Sequence, residues 1–163
     1  MNRFVPGPDT AHDFRSALSR FATGVTVVTC TSELGPLGMT VNSFASVSLD
    51  PPLILWSPAK ASTRFDAFVA AESFVVHVLG NNQEDTCRQF ARDGLDFSGI
   101  DLSEAHGGAP LIQGCLAEFE CSRFAVHDAG DHAIVVGRVE AAAARDGKPL
   151  VFAGGAFGGF NAT

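Results

Sequence analysis

The sequence predicts a mainly β protein, a barrel with short helices at its periphery. Three observations lead to this fold class. Short runs of β-branched and aromatic residues, bounded by turn residues, recur about six times along the chain, as expected of strands. Helical periodicity is confined to two or three short segments. The 163 residues, 46% of them hydrophobic, supply enough apolar side chains for one well-packed domain.

Length, charge and cysteine spacing limit the domain organisation and the class of protein. We expect one domain over residues 10–160, preceded by an extended leader over residues 1–9. A net charge of −7 argues against a nucleic-acid-binding protein, because phosphate backbones require a basic surface. The N-terminus lacks the pattern of a signal peptide, and no apolar run of the sequence reaches membrane-spanning length. The four cysteines lack zinc-type spacing, so we expect a cytoplasmic protein with reduced, structural cysteines.

The first third of the chain predicts a helix and then two strands. Apolar residues recur at helical spacing from Phe14 to Phe21, which indicates a short helix with one apolar face. The β-branched run 25–31 is typical of a strand. A turn over 33–36 leads into a second strand, predicted over 38–49.

That second strand belongs to the most unusual stretch of the sequence, which runs from Gly38 to Trp56. Small hydroxyl and amide side chains alternate with apolar ones, and no charged residue occurs before Asp50. Pro51 and Pro52 then break the strand, because proline cannot donate a ladder hydrogen bond. Short, uncharged, hydrogen-bonding side chains suit a wall on which a flat, polar ligand approaches the backbone closely. We interpret the stretch as part of a cofactor site; the alternative is an ordinary Ser/Thr-rich strand and turn.

The segment after the next strand, predicted over 53–57, indicates an anion site. Ser62 or Thr63 can cap a short helix, whose N-terminus presents free backbone N–H groups. Lys60 and Arg64 flank these groups with positive charge, which favours a bound anion. A plain helix cap with solvated basic residues is the alternative interpretation.

The second half of the chain predicts mostly strands, with one further helix and one long irregular segment. The length of the irregular segment, residues 93–110, suggests a functional flap or a subunit contact. The predicted elements are, in order, a strand over 73–79, a helix from Asn81 or Asn82 to Arg92, the irregular segment 93–110, a hairpin of strands over 115–127 and 132–143, a short strand over 149–153, and a flexible, glycine-rich tail over 154–160.

His132 is the histidine with the clearest functional pattern. It follows a tight, acidic turn in which Asp131 can orient its ring, and from there it can reach over a pocket. An exposed turn histidine explains the pattern equally well. The run 127–132 has the residue types of a metal site, but a hairpin tip is a poor cage, so we predict no metal. His77 alternates with apolar residues and fits either a satisfied core histidine or one that lines a cavity.

Several segments of the chain resemble the short-chain flavin reductases, the reductase components of two-component flavin-dependent monooxygenases. The resemblance extends from about Phe14 to Phe160, nearly the whole chain. The segments that carry it are Phe-Ala-Thr-Gly-Val-Thr-Val-Val-Thr at 21–29, Gly-Met-Thr-Val-Asn-Ser-Phe-Ala-Ser-Val-Ser at 38–48, Pro-Pro-Leu at 51–53, Gly-Asp-His at 130–132 and Gly-Arg-Val at 137–139.

The resemblance implies an FMN-binding, flavin reductase-like split β-barrel that forms a homodimer. It further implies that NADH or NADPH reduces FMN or FAD, and that the reduced flavin often passes to a partner monooxygenase. No arginine cluster of the sequence suits a 2′-phosphate, which makes NADH the default. FMN and FAD share the isoalloxazine and the first phosphate, and loops such as 93–110 would read the additional adenosine of FAD.

The resemblance also implies roles for individual positions. The isoalloxazine and ribityl chain would be lined by Thr40, Val41, Asn42, Ser43, Phe44, Ser46 and Val47. The phosphate would be met by Lys60, Ala61 and Ser62, in agreement with the anion site, and the rest of the flavin by Phe90 and Ala91. The nicotinamide would be met by His132 and covered by the tail with Phe157 and Phe160. This tail departs from the family, many of whose members carry a tyrosine- or histidine-bearing motif there.

Hydride transfer from a nicotinamide to a flavin needs little acid–base help from protein, because the cofactor supplies the chemistry. We therefore expect His132, the one residue given a catalytic role, to position the nicotinamide and to stabilise the reduced flavin. Two other functions remain compatible with the sequence. One is a split-barrel FMN-dependent oxidase with its own small substrate, and the other is a non-enzymatic flavin-binding protein.

Overall fold

A computed structural model describes residues 3–161. Met1 and Asn2 of the predicted leader therefore lie outside the described residues. The helices are α1 (Ala11–Leu18), α2 (Phe65–Ala70) and α3 (Glu84–Arg92), with a short 3-10 helix over Pro8–Thr10 before α1.

The strands of the first half are β1 (Thr23–Gly24), β2 (Thr26–Ser32), β3 (Gly35–Val41), β4 (Ala45–Leu49), β5 (Pro52–Trp56) and β6 (Ser73–Val78). Those of the second half are β7 (Leu102–Glu104), β8 (Pro110–Ile112), β9 (Ala117–Ala129), β10 (His132–Ala144), β11 (Leu150–Ala153) and β12 (Ala156–Gly159).

Within residues 3–161, seven strands form one antiparallel sheet in the order β3-β2-β6-β9-β10-β5-β4. One face of this sheet encloses an apolar core to which β2, β3, β5, β6, β9, β10 and α2 all contribute. Trp56 lies fully buried in this core, with its ring 5.2 Å from that of Phe68 and 6.0 Å from that of Phe74. A sheet that surrounds its own core in this way forms a barrel.

A second apolar core lies on the other face of the sheet. Its residues come from β2, α3, β8, β11 and the segments between them, and include Val27, Cys87, Phe90, Ile112 and Leu150. The helix α3 and the small sheet β1-β11-β12 cover this side. The two cores together hold the β2–β6 part of the sheet between two packed layers.

The stretch predicted as one strand over 38–49 is two strands, β3 and β4, separated at residues 42–44. The break has a side-chain cause, because Ser43 Oγ accepts a hydrogen bond from the Ser57 N–H (2.9 Å) and donates one to the Ser57 carbonyl (3.2 Å). The predicted turn over 33–36 is also too long, since β3 already begins at Gly35. Pro36 is tolerated within β3 because this strand lies at the edge of the sheet.

The prediction of a flexible tail over 154–160 is wrong for most of its length. Ala156–Gly159 form β12, which pairs with β11. Gly154 and Gly155 connect the two strands with φ angles of 59° and 83°, the left-handed conformation that a two-residue hairpin turn of type I′ requires. Propensity alone disfavours glycine in strands, but the turn geometry and the pairing with β11 outweigh it.

The four cysteines are all buried and free. Burial raises the pKa of Cys30 and of Cys121 to about 12 and that of Cys115 to about 11. The thiols therefore stay protonated and out of contact with solvent at neutral pH. Across residues 3–161, the structure contains no helix that is long and apolar enough to cross a membrane.

Candidate active site

His132 is the first residue of β10 and lies at the tip of the β9–β10 hairpin. Gly130 makes the turn with a φ of 70°. The Nδ1 atom of His132 lies 2.8 Å from Asp131 Oδ1, and 43% of the His132 side chain is exposed. The carboxylate accepts hydrogen bonds only, so Nδ1 carries the proton in this pair and Nε2 is left for another partner. The hydrogen bond from His132 is the main cause that lowers the pKa of Asp131.

The segment 58–60 is fastened to this hairpin along its backbone. Ala133 N–H donates to the carbonyl of Pro58 (3.1 Å), and Lys60 N–H donates to the carbonyl of Asp131 (2.9 Å). Ala59 forms an isolated β-bridge with His132. The Lys60 ammonium also pairs with the carboxylate of Asp128. The predicted phosphate site and the predicted nicotinamide residue thus share one continuous backbone ladder.

The predicted helix cap at Ser62 or Thr63 is wrong. The helix α2 begins at Phe65 with Arg64 at its N-cap position, and Ser62 Oγ instead accepts a hydrogen bond from the backbone N–H of Arg64 (3.2 Å). At the predicted anion site, the exposed ammonium of Lys60 and the hydroxyl of Ser62 remain as groups that suit a phosphate.

Arg64 holds two elements together instead of facing a free anion. Its guanidinium donates to the carbonyl oxygens of Gly38 (3.0 Å), Phe90 (2.6 Å) and Ala91 (3.3 Å). Burial is the main cause that lowers the pKa of Arg64. The side chain therefore joins the start of α2 to β3 and to the end of α3.

The wall predicted from β3 and β4 divides into buried and exposed parts. Thr40 Oγ1 donates to the carbonyl of Cys87 in α3 (2.6 Å), and Val41 packs against the barrel core. Phe44 stacks on Phe119 with ring centroids 5.6 Å apart and the ring planes 22° from parallel. The exposed, uncharged part of the wall consists of Asn42, Ala45, Ser46 and Val47.

Phe90 and Ala91 occupy different environments. The Phe90 side chain is fully buried, and it lies so close to Gly38 that a Cβ atom built there would come within 2.4 Å of its ring. Ala91 is exposed. Phe90 thus supports the predicted flavin wall from inside, and only Ala91 presents a side chain to a ligand.

Phe157 and Phe160 were predicted to cover the nicotinamide. Phe157 lies in β12, where its ring packs against Phe152 (5.3 Å between centroids) and under the guanidinium of Arg88 (5.0 Å). Phe160 follows β12 and is mostly exposed. The structure therefore anchors the tail on α3 through Arg88, a contact that the sequence reasoning missed, because nothing in the pattern of α3 points to it.

Two further features of the region were not predicted from the sequence. The sequence places Asp128 in the hairpin turn and in the run 127–132 with metal-type residues, but it does not indicate that the Asp128 carboxylate pairs with Lys60 and so links the hairpin to segment 58–60. A cleft of about 740 Å³ also lies between α2, the β2–β3 turn and the residues after α3. In the described part of the chain, no group of three His, Cys, Asp or Glu side chains is arranged to hold a metal ion.

Comparison with known proteins identifies the family. A family model of a flavin reductase like domain matches residues 18–161. The FMN reductase (NADH) SmoA of Agrobacterium fabrum is 58% identical over 158 residues, which cover 97% of this chain and 91% of SmoA. The flavin-dependent monooxygenase reductase subunit HsaB of Mycobacterium tuberculosis is 41% identical over 150 residues, with 90% of this chain and 80% of HsaB covered.

Solved structures agree with this result. The NADH:FAD oxidoreductase SgcE6 of Streptomyces globisporus superimposes with a TM-score of 0.90 at 37% identity, over 98% of both chains. BorF, the flavin reductase component of a bacterial two-component tryptophan halogenase, gives a TM-score of 0.85 at 39% identity, over 94% of this chain and 99% of BorF.

The predicted fold, the predicted resemblance and the predicted use of a flavin and a nicotinamide are therefore confirmed. The residue roles inferred from the resemblance stay predictions, because the comparisons do not test them. The chain belongs to the family of flavin reductases with the split β-barrel fold.

Proposed function

We propose that the protein oxidises NADH, transfers the hydride to FMN or FAD, and releases the reduced flavin to a partner monooxygenase. The observation that carries the proposal is the backbone ladder between segment 58–60 and the hairpin of His132. It sets the residues suited to a flavin phosphate beside the residue suited to a nicotinamide. The names of SmoA and SgcE6 support NADH as the reductant, and HsaB and BorF support delivery to an oxygenase or halogenase.

The residues present fit a flavin. The isoalloxazine is flat, with polar edges, and the exposed wall of Asn42, Ser46 and Val47 offers an amide, a hydroxyl and an apolar surface without charge. The phosphate is doubly negative, and Lys60 and Ser62 offer it an ammonium and a hydroxyl. When bound, the flavin supplies the acceptor for the hydride. We propose the flavin contacts that the resemblance implies for residues 40–44, Ser46, Val47, residues 60–62 and Ala91.

His132 is proposed to hold the nicotinamide. Asp131 fixes the proton on Nδ1 of this partly exposed side chain, so Nε2 can accept a hydrogen bond from the carboxamide of the nicotinamide. Positioning of this kind accelerates the reaction through orientation, because hydride transfer requires the two rings to lie in contact. The β11–β12 hairpin with Phe157, and Phe160 after it, are proposed to complete the cover of this site.

A homodimer is also proposed. The register of the sheet aligns Leu53, Leu55, Ile134 and Val136 along one face of β5 and β10, where these apolar side chains are only half-buried. The apolar side chains of α1 are likewise exposed. Exposed apolar side chains that lie together often mark a surface covered by a partner, and an identical subunit provides a self-complementary one. Light scattering on the purified protein tests this directly, with twice the 17.0 kDa chain mass as the expected result.

The activity is tested by following NADH and NADPH absorbance with the purified protein and added FMN, FAD or no flavin. Rapid NADH oxidation that depends on free flavin is the expected result. Oxidation that starts only after another small substrate is added would identify an oxidase instead. Flavin binding without oxidation of either nucleotide would identify a non-enzymatic flavin-binding protein and overturn the proposal.

A further inference from the structure

We propose that Asp128 competes with the flavin phosphate for the ammonium of Lys60, and that it thereby weakens flavin binding and speeds flavin release. This inference rests on the proposed function, because it assigns a role to a residue beside the same flavin site. Asp128 acts through Lys60 and is given no contact with the flavin or the nicotinamide. Its effect is therefore confined to flavins that carry a phosphate.

The ion pair between Lys60 and Asp128 carries the proposal. The Lys60 ammonium contacts Oδ1 of the Asp128 carboxylate, and 40% of the Lys60 side chain and 79% of the Asp128 side chain are exposed. Solvent therefore has access to the pair, and so has a ligand that carries negative charge. The ammonium proposed to meet the flavin phosphate is thus already paired with a carboxylate of the chain itself.

Lys60 is the cation of its segment that a phosphate can use. Segment 58–65 contains two cationic side chains, Lys60 and Arg64. The Arg64 guanidinium donates to three backbone carbonyl oxygens of β3 and α3, which leaves the Lys60 ammonium for a ligand. A phosphate at residues 60–62 and the carboxylate of Asp128 therefore present two anions to one ammonium. Each anion weakens the binding of the other, because like charges repel at this separation.

The backbone holds the segment of Lys60 in place without the ion pair. Lys60 N–H donates to the carbonyl of Asp131 (2.9 Å), and Ala133 N–H donates to the carbonyl of Pro58 (3.1 Å). Removal of the Asp128 charge therefore leaves the segment where it is and changes the electrostatic surroundings of the ammonium. For this reason we assign Asp128 to the control of affinity and not to the construction of the site.

Weak binding of the phosphate suits the proposed delivery of reduced flavin. A flavin that passes to a partner monooxygenase must leave the reductase in every turnover. Differences in affinity between variants of one site appear mostly in the dissociation rate. A carboxylate that competes for Lys60 therefore hastens the departure of the flavin, while the contacts of the isoalloxazine with its wall stay as they are.

Riboflavin provides the decisive comparison, because it has the isoalloxazine and ribityl chain of FMN but no phosphate. Dissociation constants for FMN and riboflavin are measured from the quenching of flavin fluorescence. We expect Asp128→Asn to tighten FMN binding about threefold to fivefold, the scale of an exposed ion pair, and to leave riboflavin binding unchanged. Asp128→Glu restores the carboxylate and is expected to bring FMN binding back to about the wild-type value.

Two further measurements identify the cause as the charge of Asp128. The dissociation rate of FMN, followed by stopped-flow fluorescence, should fall in Asp128→Asn by about the same factor as the dissociation constant. A high concentration of sodium chloride should reduce the difference between this variant and the wild type, because salt screens exposed charges.

Asp146→Asn is the matched control. It makes the same change of charge at an exposed position that follows β10, at the end of this strand opposite to His132. We expect Asp146→Asn to bind FMN and riboflavin as the wild type does.

Weaker FMN binding in Asp128→Asn would show that the carboxylate supports Lys60, and it would overturn the proposal. Unchanged FMN binding, equal changes for FMN and riboflavin, or an equal effect of Asp146→Asn would also overturn it. In each of these cases the proposed function stands if the wild type oxidises NADH with added flavin. If the wild type oxidises no NADH with FMN or FAD, the proposed function fails, whatever the substitutions do to binding.

Discussion

His77 and His132 both lie in strands of the same sheet, yet their surroundings give them opposite roles. His77 is fully buried, with Nδ1 3.0 Å from the carbonyl of Val27 and Nε2 accepting the N–H of Ile112 at 3.0 Å. Burial lowers its pKa to about 4. His132 has one side-chain partner, Asp131, and stands at an exposed hairpin tip. A histidine with both ring nitrogens bonded to backbone stabilises the fold, whereas one with a free nitrogen at the surface can bind a ligand.

The largest expected effect comes from His77→Leu. The substitution leaves the buried N–H of Ile112 and the carbonyl of Val27 without the ring, and we expect the free energy of unfolding to fall by roughly 2–4 kcal/mol. Urea denaturation measures this change. His77→Gln, which keeps a donor and an acceptor, is expected to lose less. Equal stability of His77→Leu and the wild type would show that the two hydrogen bonds contribute nothing to stability.

The pH dependence of stability sharpens the same contrast. His77 has a pKa of about 4 in the folded protein against 6.5 for the ordinary side chain, so the unfolded chain binds the proton first as the pH falls. The contribution of neutral His77 to the free energy of unfolding is therefore complete above pH 6.5. It is lost as the pH falls to about 4, and the total loss is about 3 kcal/mol. The free energies of unfolding of the wild type and His77→Gln, measured by denaturation at several pH values, should therefore converge as the pH falls from 6.5 to 4. A constant difference over this range would contradict the lowered pKa of His77.

His132→Ala is expected to show the opposite behaviour. The free energy of unfolding should change by less than about 0.5 kcal/mol, because the side chain is half exposed. The loss of one hydrogen bond to the nicotinamide should lower kcat/KM for NADH roughly tenfold, while KM for the flavin is retained. Steady-state kinetics, with NADH and the flavin varied in turn, measures both parameters. An unchanged kcat/KM for NADH would remove His132 from the site.

The smallest effect is expected at Asp128. Asp128→Asn removes the charge that pairs with Lys60 at an exposed position, so stability should change by at most about 1 kcal/mol. We expect a measurable coupling between Asp128→Asn and Lys60→Gln in the dissociation constant of FMN, because each alters the same pair. Strictly additive effects of the two variants would show that the pair does not connect the hairpin to segment 58–60.

The fold could be predicted from the sequence where local patterns agree with the final packing. The hairpin of β9 and β10 follows from two long apolar alternations around an acidic turn, and its tip lies at Gly130 as expected. The β12 strand could not be predicted in this way, since Ala156–Gly159 are stabilised by pairing with β11 and by the contact of Phe157 with Phe152. Such stabilisation comes from tertiary structure and leaves no local signal.

The candidate site was less predictable for the same physical reason. The sequence indicated Lys60, Ser62 and His132 as groups that suit a phosphate and a nicotinamide. It could not indicate that Arg64 binds carbonyls 26 and 27 residues away, or that Lys60 pairs with a carboxylate 68 residues away. Side chains of this kind satisfy backbone and charged groups that only the folded chain brings together.

A protein that reduces flavin works beside a source of hydrogen peroxide, because free reduced flavin reacts with dioxygen. Peroxide attacks cysteine as the thiolate, and the reaction requires access to the sulfur. All four sulfurs of this chain lie inside the two apolar cores or beside them, with their pKa values raised by burial. The folded protein is thereby equipped to keep its thiols intact in the oxidant that its own turnover generates.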